Sequence, residues 1–130
     1  MPDPADEARK IGPILGQIAN KWSVLILSVL YSRPLRYNEI MRRLDGIPHK
    51  ALADALKRLE RNGLVKREVL PTTPIGVEYT ITPLGRSLQA PFEALCNWAL
   101  KHGPVLEKAQ ADYDKRSPVK VAHVAAAPAT

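Results

Sequence analysis

Residues 48–63, PHKALADALKRLERNG, limit what this chain can fold into more than any other stretch. Leu52, Leu56 and Leu59 recur at i, i+4 and i+7 with Ala55 beside them, which gives one apolar helical face. At about 100° per residue, Lys50, Asp54, Lys57 and Arg61 fall on the opposite face, with Arg58 at its edge. Gly63 follows as a helix stop able to take positive φ. Alone, this is an ordinary amphipathic surface helix. Its neighbours narrow the choice. YNEIMRRLDGI before it reads as a shorter helix and a glycine turn, and LVKREVL and VEYTIT after it read as paired strands. Helix, turn, helix and two-stranded ribbon in that order describe a winged helix-turn-helix, a mainly α fold with a small β-wing (α+β).

The charge falls on the same stretch. Between positions 33 and 67 there are ten basic residues against four acidic ones, so the whole net charge of +6 sits on the helix-turn-helix and the start of the ribbon. A charge run is most often a solvated face, but this one coincides with the motif able to use it, and it favours a polyanionic partner. The single cysteine, Cys96, excludes a disulfide within the chain and fits a reducing compartment. The N-terminus MPDPADEARK is charged and has no apolar core of a secretory signal. The longest apolar run, residues 24–31, is interrupted by Ser28 and falls short of the roughly 20 residues a membrane span needs. These features predict a soluble, cytoplasmic protein with no membrane partner.

A length of 130 residues suffices for one domain with a real core and hardly for two. Residues 1–10 are polar and contain proline, and are expected to be flexible. A winged-helix domain with its dimerisation helices is expected over residues 11–102, and a charged, then Ala/Pro-rich, largely disordered tail over 103–130. Within the domain, a first helix is expected over residues 11–19 and a second over 21–32. The second, KWSVLILSVLYS, is apolar nearly all round its wheel, so one side can face the core while the other needs a further surface such as a second subunit. Residues 35–37 read as a short strand, and Asn38 as the N-cap of the next helix. Strands are expected over 65–70 and 77–82, joined by the hairpin tip PTTPIG. Thr82-Pro83 opens a last helix over 83–102, with a kink at Pro91.

Taken together, NKWSVLILSVLYSRPLRYNEIMRRLDGI, ALADALKRLERNGLVKREV and PTTPIGVEYTITPLGRSL resemble the HxlR-type winged-helix transcription regulators of bacteria. The resemblance covers about residues 11–102 and rests on the order and spacing of several short motifs. It implies a homodimer joined by the N- and C-terminal helices, each subunit placing one recognition helix and one wing on double-stranded DNA. Departures from the family pattern also carry information. The cysteine that often precedes the first helix, a redox sensor in some members, is absent from DEARKIGPI. Pro48-His49 stand where Ser-Pro is common, Gly76 stands where an arginine often adjoins the Val-Glu-Tyr of the wing, and positions 53 and 55 are both alanine.

The candidate DNA contacts follow. Lys50 and Lys57 face outward from the recognition helix, with His49 and Ala53 at the same end and Arg58 at the edge. Asp54 is repelled by phosphate and is best placed to pair with Arg58 at i+4. Arg36, Arg42 and Arg43 are candidates for phosphate, as are Lys66 and Arg67 from the stem of the wing. Thr72 and Thr73 at its tip would reach the minor groove or backbone. Ile14, Ile18, Trp22, Ile26, Leu88, Phe92, Leu95 and Trp98 make up the expected dimer face, which leaves room for a small apolar effector. Cys96 is expected to be a buried, inert thiol. His49, His102 and His123 lack metal-ligand spacing, and no catalytic constellation, metal site or cofactor motif is seen, so an enzyme is not expected. The alternative is a winged helix serving as a protein-interaction module. Asp54 and the alanines at 53 and 55 keep it open, and the concentrated positive charge weighs against it.

Overall fold

The structure, a computed structural model, describes residues 3–116. Helix α1 (Pro4–Ile18) begins where the Asp3 carboxylate accepts the Ala5 amide at 3.1 Å and Pro4 takes the first helical position. The expected flexible stretch over residues 1–10 is therefore corrected from Asp3 on, and its first two residues lie outside the described residues. The apolar pattern starts only at Ile11, but the helix start is set by an Asp-Pro cap, with Asp6 and Glu7 complementing the dipole of the first turn.

Helix α2 (Lys21–Leu30) is capped by Asn20, whose side-chain oxygen accepts the Ser23 amide at 3.0 Å. It packs on α3 (Tyr37–Arg43), α4 (His49–Arg61) and the strand β3 (Gly76–Ile81). Its own chain thus covers most of the circumference for which the sequence suggested a second subunit. Trp22, Leu25 and Val29 stay half-buried. Ile26 is fully enclosed and Phe92 is only 6% exposed, so both belong to the core and are withdrawn from the expected dimer and effector face.

Strand β1 (Leu35–Arg36) was expected as part of a short strand, and it adds a third member to the sheet. The order is β1-β3-β2, all antiparallel, with β2 spanning Val65–Leu70. Leu35 lies opposite Tyr79, and β2 runs along β3 from Val65 opposite Ile81 to Leu70 opposite Gly76. Leu35, Val65 and Tyr79 point into the core formed with α2 and with Leu52, Leu56 and Leu59 of α4.

The N-cap of α3 is Arg36, not Asn38. Glu39, three residues on, accepts the Arg36 amide at 3.0 Å and pairs with Arg33 at 3.0 Å, which fixes the start at Tyr37. The backbone bond first, and then Arg33, hold the Glu39 carboxyl below the ordinary carboxylate range. A depressed folded-state value stabilises the fold above that range, and the contribution is lost as pH falls through it. Wild type should accordingly melt above Glu39→Gln at neutral pH. The difference should close on acidification, and a gap that widens in acid would contradict the assignment.

Thr82 and Pro83 do open a helix, but α5 (Pro83–Arg86) is a single turn and α6 (Gln89–Arg116) starts anew after Ser87 and Leu88. Pro91 therefore falls in the first turn of α6, where its missing N–H has no helical partner to lose, and the expected kink there is corrected. The helix continues past Gly103 and Pro104, so disorder from residue 103 is corrected as far as 116, and the rest of that expectation lies outside the described residues. Residues through Glu93 form one compact unit, and those from Ala94 a second. The described part of the second unit is helical and exposes Leu95, Trp98, Leu100, Val105 and Leu106. Cys96 is half-buried there rather than enclosed. Among the described residues no single helix is long and apolar enough to cross a membrane.

Candidate nucleic-acid interface

Helix α4 is anchored by burial on one side only. Leu52 and Leu59 are fully enclosed and Ala55 and Leu56 nearly so, while Lys50, Asp54, Lys57 and Arg61 on the other side are exposed. Positions 50 and 57 lie two turns apart, so the two lysines stand about 10 Å from each other along one face. Arg61 extends the same row by a further turn and was not among the sequence candidates. Its charge also complements the helix C-terminus.

Asp54 pairs with Lys50 at 3.2 Å, not with Arg58. Both members of the pair are exposed, so it stabilises the helix little and is free to open toward a polyanion. Arg58 turns the other way. It donates to the Asn20 side-chain oxygen at 3.1 Å and lies 3.4 Å from the Ser23 hydroxyl, which ties α4 to the start of α2. Its Nε is enclosed without a hydrogen-bond partner. Arg58 is thus withdrawn from the candidate contacts. The sequence placed it at the edge of the wheel, and a partner 38 residues away decided which side it took.

The start of α4 is braced by a residue that sequence reading missed. Tyr37 donates its hydroxyl to the His49 carbonyl at 3.1 Å, and the two rings stack with centroids 6.1 Å apart. His49 remains exposed, and Ala53 is half-buried. Arg42 and Arg43 are exposed in the last turn of α3, where they also complement the helix dipole. On the wing, Arg67 is exposed, whereas Lys66 pairs with Glu68 at 2.8 Å, and the bond to that carboxylate raises the Lys66 pKa. At the tip, Thr72 donates to the Pro74 carbonyl at 2.8 Å, and Thr73 is exposed ahead of a cis peptide bond to Pro74. The Arg36 guanidinium lies against the backbone of Gly76, within 3 Å of where a Cβ would stand.

Of the expected dimer and effector face, Ile14, Ile18 and Leu88 do come together around an apolar cavity of about 310 Å³, which Leu64 and Leu84 also line. Gln17, Asn62 and Ser87 supply its polar lining, and Asn62 Nδ2 is enclosed without a partner. Trp22 does not line this cavity. Leu95 and Trp98 belong to the second unit, where both are about half exposed. Among the described residues no three His, Cys, Asp or Glu side chains are grouped to hold a metal ion.

Comparison with known proteins agrees with this geometry. Residues 17–107 match the model of the family described as HxlR-like helix-turn-helix. The HTH-type transcriptional regulator YodB of Bacillus subtilis (strain 168) is 44% identical over 82 residues, covering 63% of this chain and 73% of its own length. The HTH-type transcriptional regulator YtfH of Escherichia coli (strain K12) is 35% identical over 85 residues, 65% of this chain and 68% of its own. Among solved structures, the reduced form of YodB from B. subtilis superposes with a TM-score of 0.63 at 39% identity, covering 76% of this chain and 92% of that one. These relatives do not favour reading the fold as a protein-interaction module. The chain belongs to the HxlR-like helix-turn-helix family of transcriptional regulators.

Proposed function

We propose that the protein acts in the cytoplasm as a homodimeric, sequence-specific DNA-binding repressor on a near-palindromic operator, without enzymatic activity. The observation that carries this reading is the exposed row Lys50, Lys57 and Arg61 on a helix whose other side is locked into the core. A helix held in that way presents fixed cations to phosphates and base edges at little further entropic cost. Two such helices related by a two-fold axis would enter successive major grooves, with half-sites about 10 bp apart or a multiple of that. Lys50 and Lys57 serve as the main contacts, His49 and Ala53 lie at the entering end, and Arg42, Arg43, Lys66, Arg67, Thr72 and Thr73 contact the flanking backbone.

The second subunit is supported by the exposed apolar residues Leu95, Trp98, Val105 and Leu106 of α6, an apolar surface larger than a lone surface helix needs. Leu95→Asp combined with Trp98→Asp should convert a dimer into a monomer in sedimentation velocity while helical circular dichroism is retained. A variant that sediments like wild type would move the interface elsewhere. The apolar cavity beside α1 is a candidate seat for a small apolar effector that releases the operator.

The direct test is binding to the intergenic DNA beside the protein's own gene, titrated with salt and unrelated competitor DNA. Binding that survives competitor supports the reading. Binding that collapses with salt and ignores sequence would reduce the row of cations to general electrostatics.

A further inference from the structure

We infer that Gly76 is a seat for Arg36, and that through it a residue of β1 becomes a DNA-contacting cation of the wing; this rests on the DNA-binding reading above. Arg36 lies opposite Glu78 in the sheet register, so Gly76 is its diagonal neighbour on the same face, one step nearer the tip. The Arg36 side chain runs along that diagonal. An ideal Cβ on Gly76 would stand 2.8 Å from Arg36 Nη1, 2.9 Å from Cζ and 3.3 Å from Nη2, so the flat guanidinium rests on the space where a side chain would be.

Backbone conformation gives no other reason for glycine here. The glycines with positive φ are Gly46 and Gly63, and Gly76 is a regular strand residue. What glycine allows at position 76 is close approach, and because the approaching atoms are the free end of the Arg36 side chain, a Cβ there would move the guanidinium rather than the strand. Of the cations near the wing and α3, Arg33 pairs with Glu39 and Lys66 with Glu68, whereas among the described residues Arg36, like Arg42, Arg43 and Arg67, has no carboxylate partner. It is exposed, unpaired and laid toward the tip loop, which is where a winged helix meets the backbone or minor groove beside the major groove read by its recognition helix. Neither end of this arrangement is visible alone. Arg36 reads from sequence as a strand residue and a candidate for phosphate, and Gly76 as a turn residue standing where an arginine is common, and nothing in the sequence joins the two.

The inference makes the two positions one functional unit, and a double-mutant cycle reads that coupling. Wild type, Gly76→Ala, Arg36→Ala and the double variant would be titrated by fluorescence anisotropy against a duplex selected by wild type from a random-sequence pool. Gly76→Ala should weaken binding by the same factor as Arg36→Ala, roughly 5- to 30-fold, and lower the salt slope by about one per subunit. In the Arg36→Ala background, Gly76→Ala should change nothing further. Equal melting temperatures would show that the loss is not unfolding. Should Gly76→Ala melt early, Arg36→Lys in the native Gly76 background decides: a loss of affinity for Lys, which keeps the charge but not the flat fork, supports the inference, and wild-type affinity for Lys overturns the seat. Wild-type affinity in Gly76→Ala, or additive losses in the double variant, would overturn the seat while leaving the DNA-binding reading intact. A pool that yields no enriched sequence would overturn that reading and this inference together.

Discussion

Gly85→Ala is expected to lower stability by about 3 kcal/mol, the upper end of what overpacking a close-packed site costs. A Cβ at Gly85 would stand 2.2 Å from the Leu64 carbonyl oxygen and 3.1 Å from both its carbon and Ile81 Cγ1. The obstacle is backbone, so no rotamer change relieves it. That backbone is also held from several directions. The Thr82 amide donates to the Leu64 carbonyl at 3.1 Å, and the Thr82 hydroxyl to the Gly63 carbonyl at 2.6 Å. Gly85 itself donates to the Thr82 hydroxyl at 3.0 Å and accepts from the Tyr31 hydroxyl at 3.2 Å. Moving α5 away to admit a methyl group strains this set together, and with it the join between the end of α4 and the start of the wing. For a domain of this size the loss corresponds to a fall of about 10–20 °C in Tm, measured by circular dichroism. Gly16→Ala is the control. Nothing lies within 4 Å of its added Cβ, and α1 should gain helix propensity. A Gly85→Ala protein melting within a few degrees of wild type would mean that α5 does not hold the wing as described.

Lys57→Glu is expected to abolish operator binding over the measurable range, with a loss of at least about 100-fold, while leaving Tm close to wild type. Lys57 is exposed at the middle of the outward row of α4 and has no ion-pair partner among the described residues, so the folded state alone gives it no task. Reversal removes an attraction to the polyanion and adds a repulsion. At about 1–3 kcal/mol for each lost contact, and with the change present in both subunits of a dimer, the effect is multiplied across two half-sites. Lys57→Gln should lose less, and its affinity should fall less steeply with salt. Lys50→Gln should be milder still, because Lys50 already spends part of its charge on Asp54. Equal affinity of wild type and Lys57→Glu would remove α4 from the interface.

How much of this was legible before the fold was known depended on whether the cause was local. The bounds of α4 and of both ribbon strands follow from periodicity and turn residues close in sequence, and the structure places them within one residue of expectation. The start of α1 was also local. The Asp3-Pro4 cap sets it ahead of the apolar run that begins at Ile11, so hydrophobic periodicity alone places it too late. The break between α5 and α6 was not legible, since it follows from α5 packing against Leu64 through Gly85. The same holds at the candidate site. The outward row of α4 could be read from a helical wheel. The turning of Arg58 toward Asn20, the brace of Tyr37 on His49 and the seat of Arg36 on Gly76 join residues 38, 12 and 40 positions apart, which no spacing rule connects. Enclosure of Ile26 likewise required knowing that α3, α4 and β3 all surround α2.

The central claim, that α4 reads the major groove as one of a symmetric pair, is tested most directly by methylation protection at guanine N7, an atom exposed only in that groove. The experiment would use wild type and Lys57→Glu on the selected duplex. The account predicts two clusters of protected guanines whose centres lie about one helical turn apart, or a multiple of it, and their disappearance with Lys57→Glu. Protection spread evenly along the duplex, or clusters unchanged by the reversal, would contradict it.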